Sequence, residues 1–492
     1  MRRLSIFNLI LFISFGIYAQ TDEATVRETV KKEIIEGHIY FLSDDLLKGR
    51  ETGTAENKIA ASYLANTLRS YGVLPNPKTG NFYQEVKLKK TSPPKDVKVS
   101  INNQLMANYA VLNAAKLKGN ESVAFLGYGL EADYNNQNVK GKLLILKSGS
   151  AETSDSRAAF RLRQKKQELA QEHGAIGIVE LLDTGAQMWG YIEHNFNTSR
   201  LTLDEAETTE SNDFAYLWIL DEGSEIANSF KPNTSVKASV SMSAEISEAI
   251  VDYNVIGMVE GTDPKLKNEF IIYSAHYDHV GIGDPDETGD TIYNGARDNA
   301  VGTVTVLSMA ENLAKYPTKR SALFILFTGE EKGLLGSKFY VENPVLPLEQ
   351  MVFCFNSDNA GYNDTSLATI VGLNRTTATE HITSAAETFG LRATDDPAPE
   401  QGLFDRSDNV HFANKGIPAP TFSMGFTSFS GDVTKYYHRP NDEADSLDYN
   451  YLYKFFQAYV MSGRNIGNAL ETPFWVEGDK YEAAGKMLYK SD

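Results

Sequence analysis

The sequence predicts an α/β protein, in which a mixed, mostly parallel central sheet flanked by helices is interrupted by a smaller β-rich module. Three observations carry that expectation. Phe270-Ile-Ile-Tyr-Ser-Ala275 and Ser321-Ala-Leu-Phe-Ile-Leu-Phe327 are almost continuously apolar, as strands buried on both faces of a parallel sheet must be. Between them, Val301 to Tyr316 reads as a helix, so the order is strand, helix, strand, the crossover unit of α/β folds. From about Asn108 to Ile246 the texture changes to short strand-like runs bounded by glycine.

The remaining elements follow in chain order. Thr25 to Tyr40 reads as one helix and Glu56 to Tyr71 as a second, its apolar residues at Ile59, Ala60, Tyr63, Leu64 and Leu68. Gly72 stops the second helix, and Pro75 and Pro77 mark its exit. In the module, Val123 to Gly127 and Lys142 to Lys147 read as strands around a turn-rich connection, Glu131 to Gly141. A helix from Ala158 to His173 then leads into a strand, Ile176 to Leu181. The main domain resumes at Asp252, with further helices near Ser337 and from Thr376 to Phe389, and a strand from Ala419 to Ser423. The expected organisation is a leader at 1–20, an N-terminal part at 21–107, the inserted module at 108–246 and the main part at 247–492.

With 492 residues the chain is too long for one core, which agrees with more than one domain. Its net charge of −18 argues against nucleic acid or an anionic membrane surface as partner. Arg2 and Arg3 precede an apolar run from Leu4 to Ala19, the pattern of a secretory signal peptide cleaved near Ala19 or Gln20. That run is shorter than the about 20 residues a span needs, so no membrane span is expected after cleavage. The single cysteine, Cys354, lies in an apolar run and excludes an intramolecular disulfide. A secreted or periplasmic location follows as the expectation.

Five short segments carry chemistry. The strand ending Ser274-Ala-His-Tyr-Asp-His279 puts His276 and Asp278 on one face, a histidine with a carboxylate to orient it as a metal ligand. Asn294 to Gly302 contains Asp298 directly before a helix, where an aspartate serves either as a cap or as a carboxylate bridging two cations. Thr328-Gly-Glu-Glu-Lys-Gly333 follows a buried strand, so Glu330 and Glu331 stand where α/β proteins bind ligands. Adjacent carboxylates repel, and a metal would hold one ionised while the other trades protons. Asp358 ends a fourth apolar run, and His438 sits in a turn-like fifth segment, Tyr436 to Asp442. Histidines and carboxylates at successive strand ends make a plausible zinc set. No Gly-x-Ser-x-Gly elbow or phosphate loop is present.

Taken together, these motifs resemble the di-zinc aminopeptidases of metallopeptidase family 28, clan MH, from His38 to about Asn450. Ser43 to Gly53 resembles the family's entry motif, and the module resembles the protease-associated (PA) domain that some members carry. The resemblance implies a zinc-exopeptidase fold and a secreted aminopeptidase that removes N-terminal residues from peptides. It implies two zinc ions: His276 and Asp358 on one, Glu331 and His438 on the other, and Asp298 bridging them. Glu330 would be the general base acting on a shared water, Asp278 would orient His276, and the Asp298–Asn299 peptide would be cis. The pocket would be lined by Arg406, Ser407, Asp408, Asn409 and Tyr437, with Asn409 standing where many relatives have histidine.

An acidic, glycine-rich insertion, 283–290, offers the oxygens calcium takes, or is simply a solvated loop. Three rival readings share the fold. A receptor-like binding protein would lack metal ligands, whereas all five positions are filled here. A carboxypeptidase would need a cation for the substrate carboxylate, for which Arg297, Arg375, Arg406 and Arg439 are candidates. A glutaminyl cyclase would use one zinc and lack the inserted module.

Overall fold

Alternate residues of the strand Phe270–His276 enter two separate apolar layers. Ile271, Tyr273 and Ala275 pack into one, with the helices Gly302–Lys315 and Tyr449–Asn468. Phe270 and Ile272 pack into the other, with Tyr340 and Val341 of the helix Leu335–Glu342. The strand Ser321–Phe327 divides the same way, Phe324 and Leu326 against Leu323, Ile325 and Phe327. An all-apolar strand is therefore the two-faced signature of a sheet covered on both sides. The computed structural model describes residues 21–153, 155–204, 213–230 and 236–490; the expected leader and its cleavage site lie outside the described residues.

The chain divides into two compact units, with boundaries between Val86 and Lys87 and between Val251 and Asp252. In the first unit the strands run in the order Ile246–Val259 (its part from Asp252 on), Ser321–Phe327, Phe270–His276, Met351–Ser357, Thr421–Met424, Leu367–Val371, Arg392–Thr394. Phe270–His276 is parallel to both neighbours, and Met351–Ser357 is parallel to Thr421–Met424. Ile246–Val259 runs antiparallel to Ser321–Phe327, and Leu367–Val371 antiparallel to Thr421–Met424 but parallel to Arg392–Thr394, so the sheet is mixed and mostly parallel, as expected. Register matters more than order here. His276 pairs with Phe327 and Ser274 with Asn356, so three parallel strands end level. Because the chain goes to one side of Phe270–His276 and then to the other, their carboxyl ends open a crevice at the point where the strand order reverses.

The second unit holds a five-stranded sheet in the order Tyr109–Asn113, Ala215–Leu220, Gly177–Leu182, Leu143–Lys147, Val123–Phe125, with the helix Ser156–Glu172 against it. A four-stranded sheet pairs Lys98–Ile101 with Ala238–Met242, 137 or more residues along the chain. Leu88 to Thr91 likewise pair with Arg200–Leu203, so the unit starts at Lys87 where 108 was expected, because a strand belongs with its partner whatever its local composition.

One helix expectation needs correction. Thr25 to Tyr40 is two helices, Asp22–Thr29 and Lys32–Leu42, separated by extended backbone at Val30 and Lys31. Val26, Val30, Ile35 and Ile39 are all buried. In one unbroken helix, Ile35 would point roughly opposite to Val26, so the break re-phases the second apolar stripe toward the core. Cys354 is buried, as expected. Among the described residues, no helix is long and apolar enough to cross a membrane.

Candidate active site

The level ends of the parallel strands bring the predicted residues together. His276 closes one strand, Glu330 and Glu331 follow Phe327, and Asp358 follows Ser357. Asp298 comes from the turn before the helix Gly302–Lys315, and the Asp298–Asn299 peptide is cis. Asp442 anchors that turn: its carboxylate accepts from the amides of Arg297 and Asp298 and from the Arg297 guanidinium. The segment bearing Asp442 also bears His438, whose backbone is left-handed at φ 52°. Tyr437 stacks on the His438 ring at 4.0 Å.

Two groups of ligand atoms result, and they share one residue. His276 Nε2 is 3.4 Å from Asp298 Oδ1 and 3.3 Å from Asp358 Oδ1. His438 Nε2 is 3.2 Å from Asp298 Oδ2 and 3.1 Å from Glu331 Oε2. Four ligands about 2.0–2.1 Å from a zinc ion, placed tetrahedrally, are about 3.3 Å from one another. The two measured edges of each triad match those of a zinc tetrahedron, and His279 also lies within 4.8 Å of the second triad's ligand atoms, with Nδ1 4.0 Å from Asp298 Oδ2. Asp298 contributes one oxygen to each triad, so the site can hold two cations bridged by a single carboxylate. Glu330 Oε2 approaches His276 no closer than 4.0 Å and belongs to neither triad.

The charges reflect crowding. Burial pushes the Glu330 carboxyl well above the ordinary carboxylate range, and the neighbouring Asp358 and Glu331 add to it. Burial acts on Glu331 in the same direction, but hydrogen bonds from His279 and His438 outweigh it and bring Glu331 down to about 2. His438 loses solvation too, yet Asp298 and Glu331 raise it to about 10. In the protein without metal His438 acts as the cation that Asp298 and Glu331 require. A bound metal ion would take over that role and leave His438 a neutral ligand.

Asp278 departs from its expected contact. The atom within hydrogen-bond reach of His276 Nδ1 is the Asp278 backbone carbonyl, at 3.1 Å, while its carboxylate lies 3.8 Å away. That carboxylate instead accepts from Thr52 Oγ1 at 2.8 Å and from the amides of Glu330 and Glu331. Burial raises Asp278 to about 6. The strand ends at His276, so alternation does not govern where the Asp278 side chain points.

The pocket over the metal triads is lined by Arg406, Ser407 and Tyr437, together with Val371, Leu403 and Phe429. Asp408 and Asn409 do not line it. They begin an inward-turning helix, and the Asn409 amide donates to the carbonyls of Phe404 and Ala419, fixing the loop from behind. Burial pushes Asp408 up to about 7. Of the four arginines, Arg297 pairs with Asp442 and Arg375 with Asp479, so neither serves a substrate carboxylate. In the 283–290 loop, Asp286 Oδ1 accepts from the Thr288 hydroxyl and the amides of Thr288 and Asp290. Among the described residues, the two groups able to hold a metal do not include this loop.

One residue beside the triads was not foreseen. His279 is fully buried with Nδ1 2.8 Å from Glu331 Oε1. Its place three residues after the strand end gave it no face by alternation; the sequence signal was only a second histidine in the same motif.

Comparison with known proteins agrees with this geometry. The family model described as peptidase family M28 matches residues 254–462. Aminopeptidase YwaD of Bacillus subtilis (strain 168) is 32% identical over 202 residues, 39% of this chain and 40% of that protein. A probable leucine aminopeptidase 2 of Aspergillus oryzae is 33% identical over 91 residues, 18% of this chain and 16% of that protein. The matches thus span less than two thirds of these curated relatives. An aminopeptidase from Aneurinibacillus sp. strain AM-1 shares the fold, with a TM-score of 0.59 and 21% identity over 92% of this chain and 97% of that one. A zinc aminopeptidase, BSAP, from Bacillus subtilis has a TM-score of 0.52 and 19% identity over the same 92% and 97%.

Proposed function

Because residues 254–462 match the family model described as peptidase family M28, we propose that the protein is a zinc-dependent aminopeptidase that removes N-terminal residues from peptides. The observation that carries this reading is the split of Asp298, whose Oδ1 lies beside His276 and whose Oδ2 lies beside His438. On this reading His276, Asp358 and Asp298 hold one zinc, and Asp298, Glu331 and His438 hold the other. Two such cations would supply Lewis acidity and lower the pKa of a nearby water toward about 7.

The chain's own residues do the rest. Glu330 is the general base: it takes a proton from the attacking water and returns it to the leaving amine. It belongs to neither triad, so its carboxylate is free to act on the water. Asp278 grips the amides of Glu330 and Glu331, which keeps base and ligand in their separate positions. The pocket is lined by several acidic side chains, Asp358 among them, a setting that suits the α-ammonium of a substrate with a free N-terminus. Arg2, Arg3 and the apolar run to Ala19 support export, and the mature chain should then begin near Thr21 by intact mass. A mass that retains the leader would reject export with processing. The second unit is read as a protease-associated module, on its position as an insertion between Val86 and Asp252.

The test is a panel of aminoacyl-p-nitroanilides beside their N-acetylated forms, with Glu330→Gln as control. Free substrates should be cleaved and blocked ones should not. Glu330→Gln should keep its metal and lose about 10²–10⁴-fold in kcat. Equal cleavage of blocked and free substrates would sink the aminopeptidase reading, and full activity in Glu330→Gln would sink the assignment of the base.

A further inference from the structure

We propose that His279 is a positioning residue that gives the two oxygens of Glu331 different tasks, leaving Oε2 alone to face the cation shared with Asp298 and His438. The proposal rests on the two-metal reading above and adds to it a residue that lies outside both triads.

The two oxygens of a carboxylate are chemically equivalent, and nothing in a free glutamate decides which one meets a metal. Here they are distinguished. Oε2 is 3.1 Å from His438 Nε2, within the second triad, and Oε1 is 2.8 Å from His279 Nδ1. An ionised carboxylate only accepts hydrogen bonds, so the hydrogen between them sits on Nδ1. His279 is no fourth ligand in that arrangement. Its Nδ1 is 4.0 Å from Asp298 Oδ2, well beyond the tetrahedral edge of about 3.3 Å that the other pairs show.

The ring is also held against rotation. His279 is fully buried, and its amide donates to the Arg50 carbonyl at 3.2 Å. Gly295 closes over the imidazole so tightly that a Cβ there would lie 2.6 Å from ring carbons Cγ and Cδ2. Gly295 itself adopts φ 59°, a left-handed conformation natural to glycine. The His438 ring stands edge-on to the His279 ring at 5.4 Å. A rigid donor thus fixes the Glu331 carboxylate before any ion arrives. Without it the carboxylate can turn, chelate through both oxygens, or lose its alignment with His438. Partners that orient ligands in this way are worth about 10–100-fold in metal affinity.

The test uses the full chain, stripped of metal and titrated with zinc by calorimetry, comparing wild type with His279→Leu and His279→Asn. Leucine fills the space without a donor, and asparagine keeps a donor near the position of Nδ1. One of the two binding steps should weaken by about 10–100-fold in His279→Leu with the other unchanged, and His279→Asn should recover most of the loss. An unchanged His279→Leu, equal loss at both steps, or an asparagine variant as weak as the leucine one would overturn the proposal. A direct measurement on wild type needs no variant: with cadmium-113 bound and histidine labelled with nitrogen-15, metal–nitrogen coupling should be seen at two histidines only, and His279 Nδ1 should carry a proton. Coupling at His279 would overturn the proposal even if the leucine variant failed to fold. Uptake of fewer than two ions by wild type would instead defeat the two-metal reading, and this proposal with it.

Discussion

His38 is held between two phenols, its Nδ1 2.7 Å from Tyr63 Oη and its Nε2 2.8 Å from Tyr71 Oη. Burial lowers its pKa to about 4 from an ordinary 6.5, so the folded protein keeps it neutral where the unfolded chain is protonated. The sign follows from that difference. Stability is complete above pH 6.5 and is lost as pH falls from 6.5 toward 4, by on the order of 2–3 kcal/mol for this group. Urea unfolding at pH 7.5 and pH 4.5 should therefore show a larger loss for wild type than for His38→Gln, which cannot take up the proton. Equal losses would remove His38 from the acid sensitivity of the fold. At this scale Glu330 and Glu331 show what composition cannot decide. They are adjacent and chemically identical, yet one touches two histidines and the other touches none within hydrogen-bond reach.

Elements in the second unit are joined by an ion pair with no solvent access. Lys166, in the helix Ser156–Glu172, lies 2.5 Å from Glu180 in the strand Gly177–Leu182. Tyr216 Oη and Trp218 Nε1 both donate to the other Glu180 oxygen, and Lys166 also donates to the Lys147 carbonyl. Removing one partner leaves a buried charge without compensation, so Lys166→Met should cost about 3–5 kcal/mol, while Lys166→Met with Glu180→Gln should recover much of it. Denaturant unfolding followed by the fluorescence of buried Trp218 measures both, and a single-variant cost under about 1 kcal/mol would contradict this account. This pair was not legible beforehand. Glu180 sits in an apolar run and Lys166 in a run of polar helix residues, and only the docking of helix on strand makes them neighbours. The strands at Phe270 and Ser321 were legible, because burial on both faces forces an apolar residue at almost every position. The helix over 25–40 was misread, because a reset of phase between two apolar stripes looks like one continuous stripe when only counts are compared.

Over the whole molecule, every residue of the two triads lies in the first unit. Ions that bind only the folded state stabilise it by mass action, about 4 kcal/mol at 1,000 times the dissociation constant. Chelation should therefore lower the thermal transition of the first unit and leave that of the second in place, with zinc restoring the first. Calorimetry of the full chain resolves this, and an equal shift of both transitions, or of neither, would count against the proposed site. The sequence by itself determined the fold class, the buried strands and the five short segments with their ligand types, because these follow from local periodicity and local chemistry. Only the tertiary structure decided that Asp298 divides its oxygens between His276 and His438, that Asp278 reaches His276 with a carbonyl, and that His279 meets Glu331. Those facts are distances between groups up to 140 positions apart. They depend on strand register and rotamer, which no stretch of sequence contains until the sheet has brought its ends level.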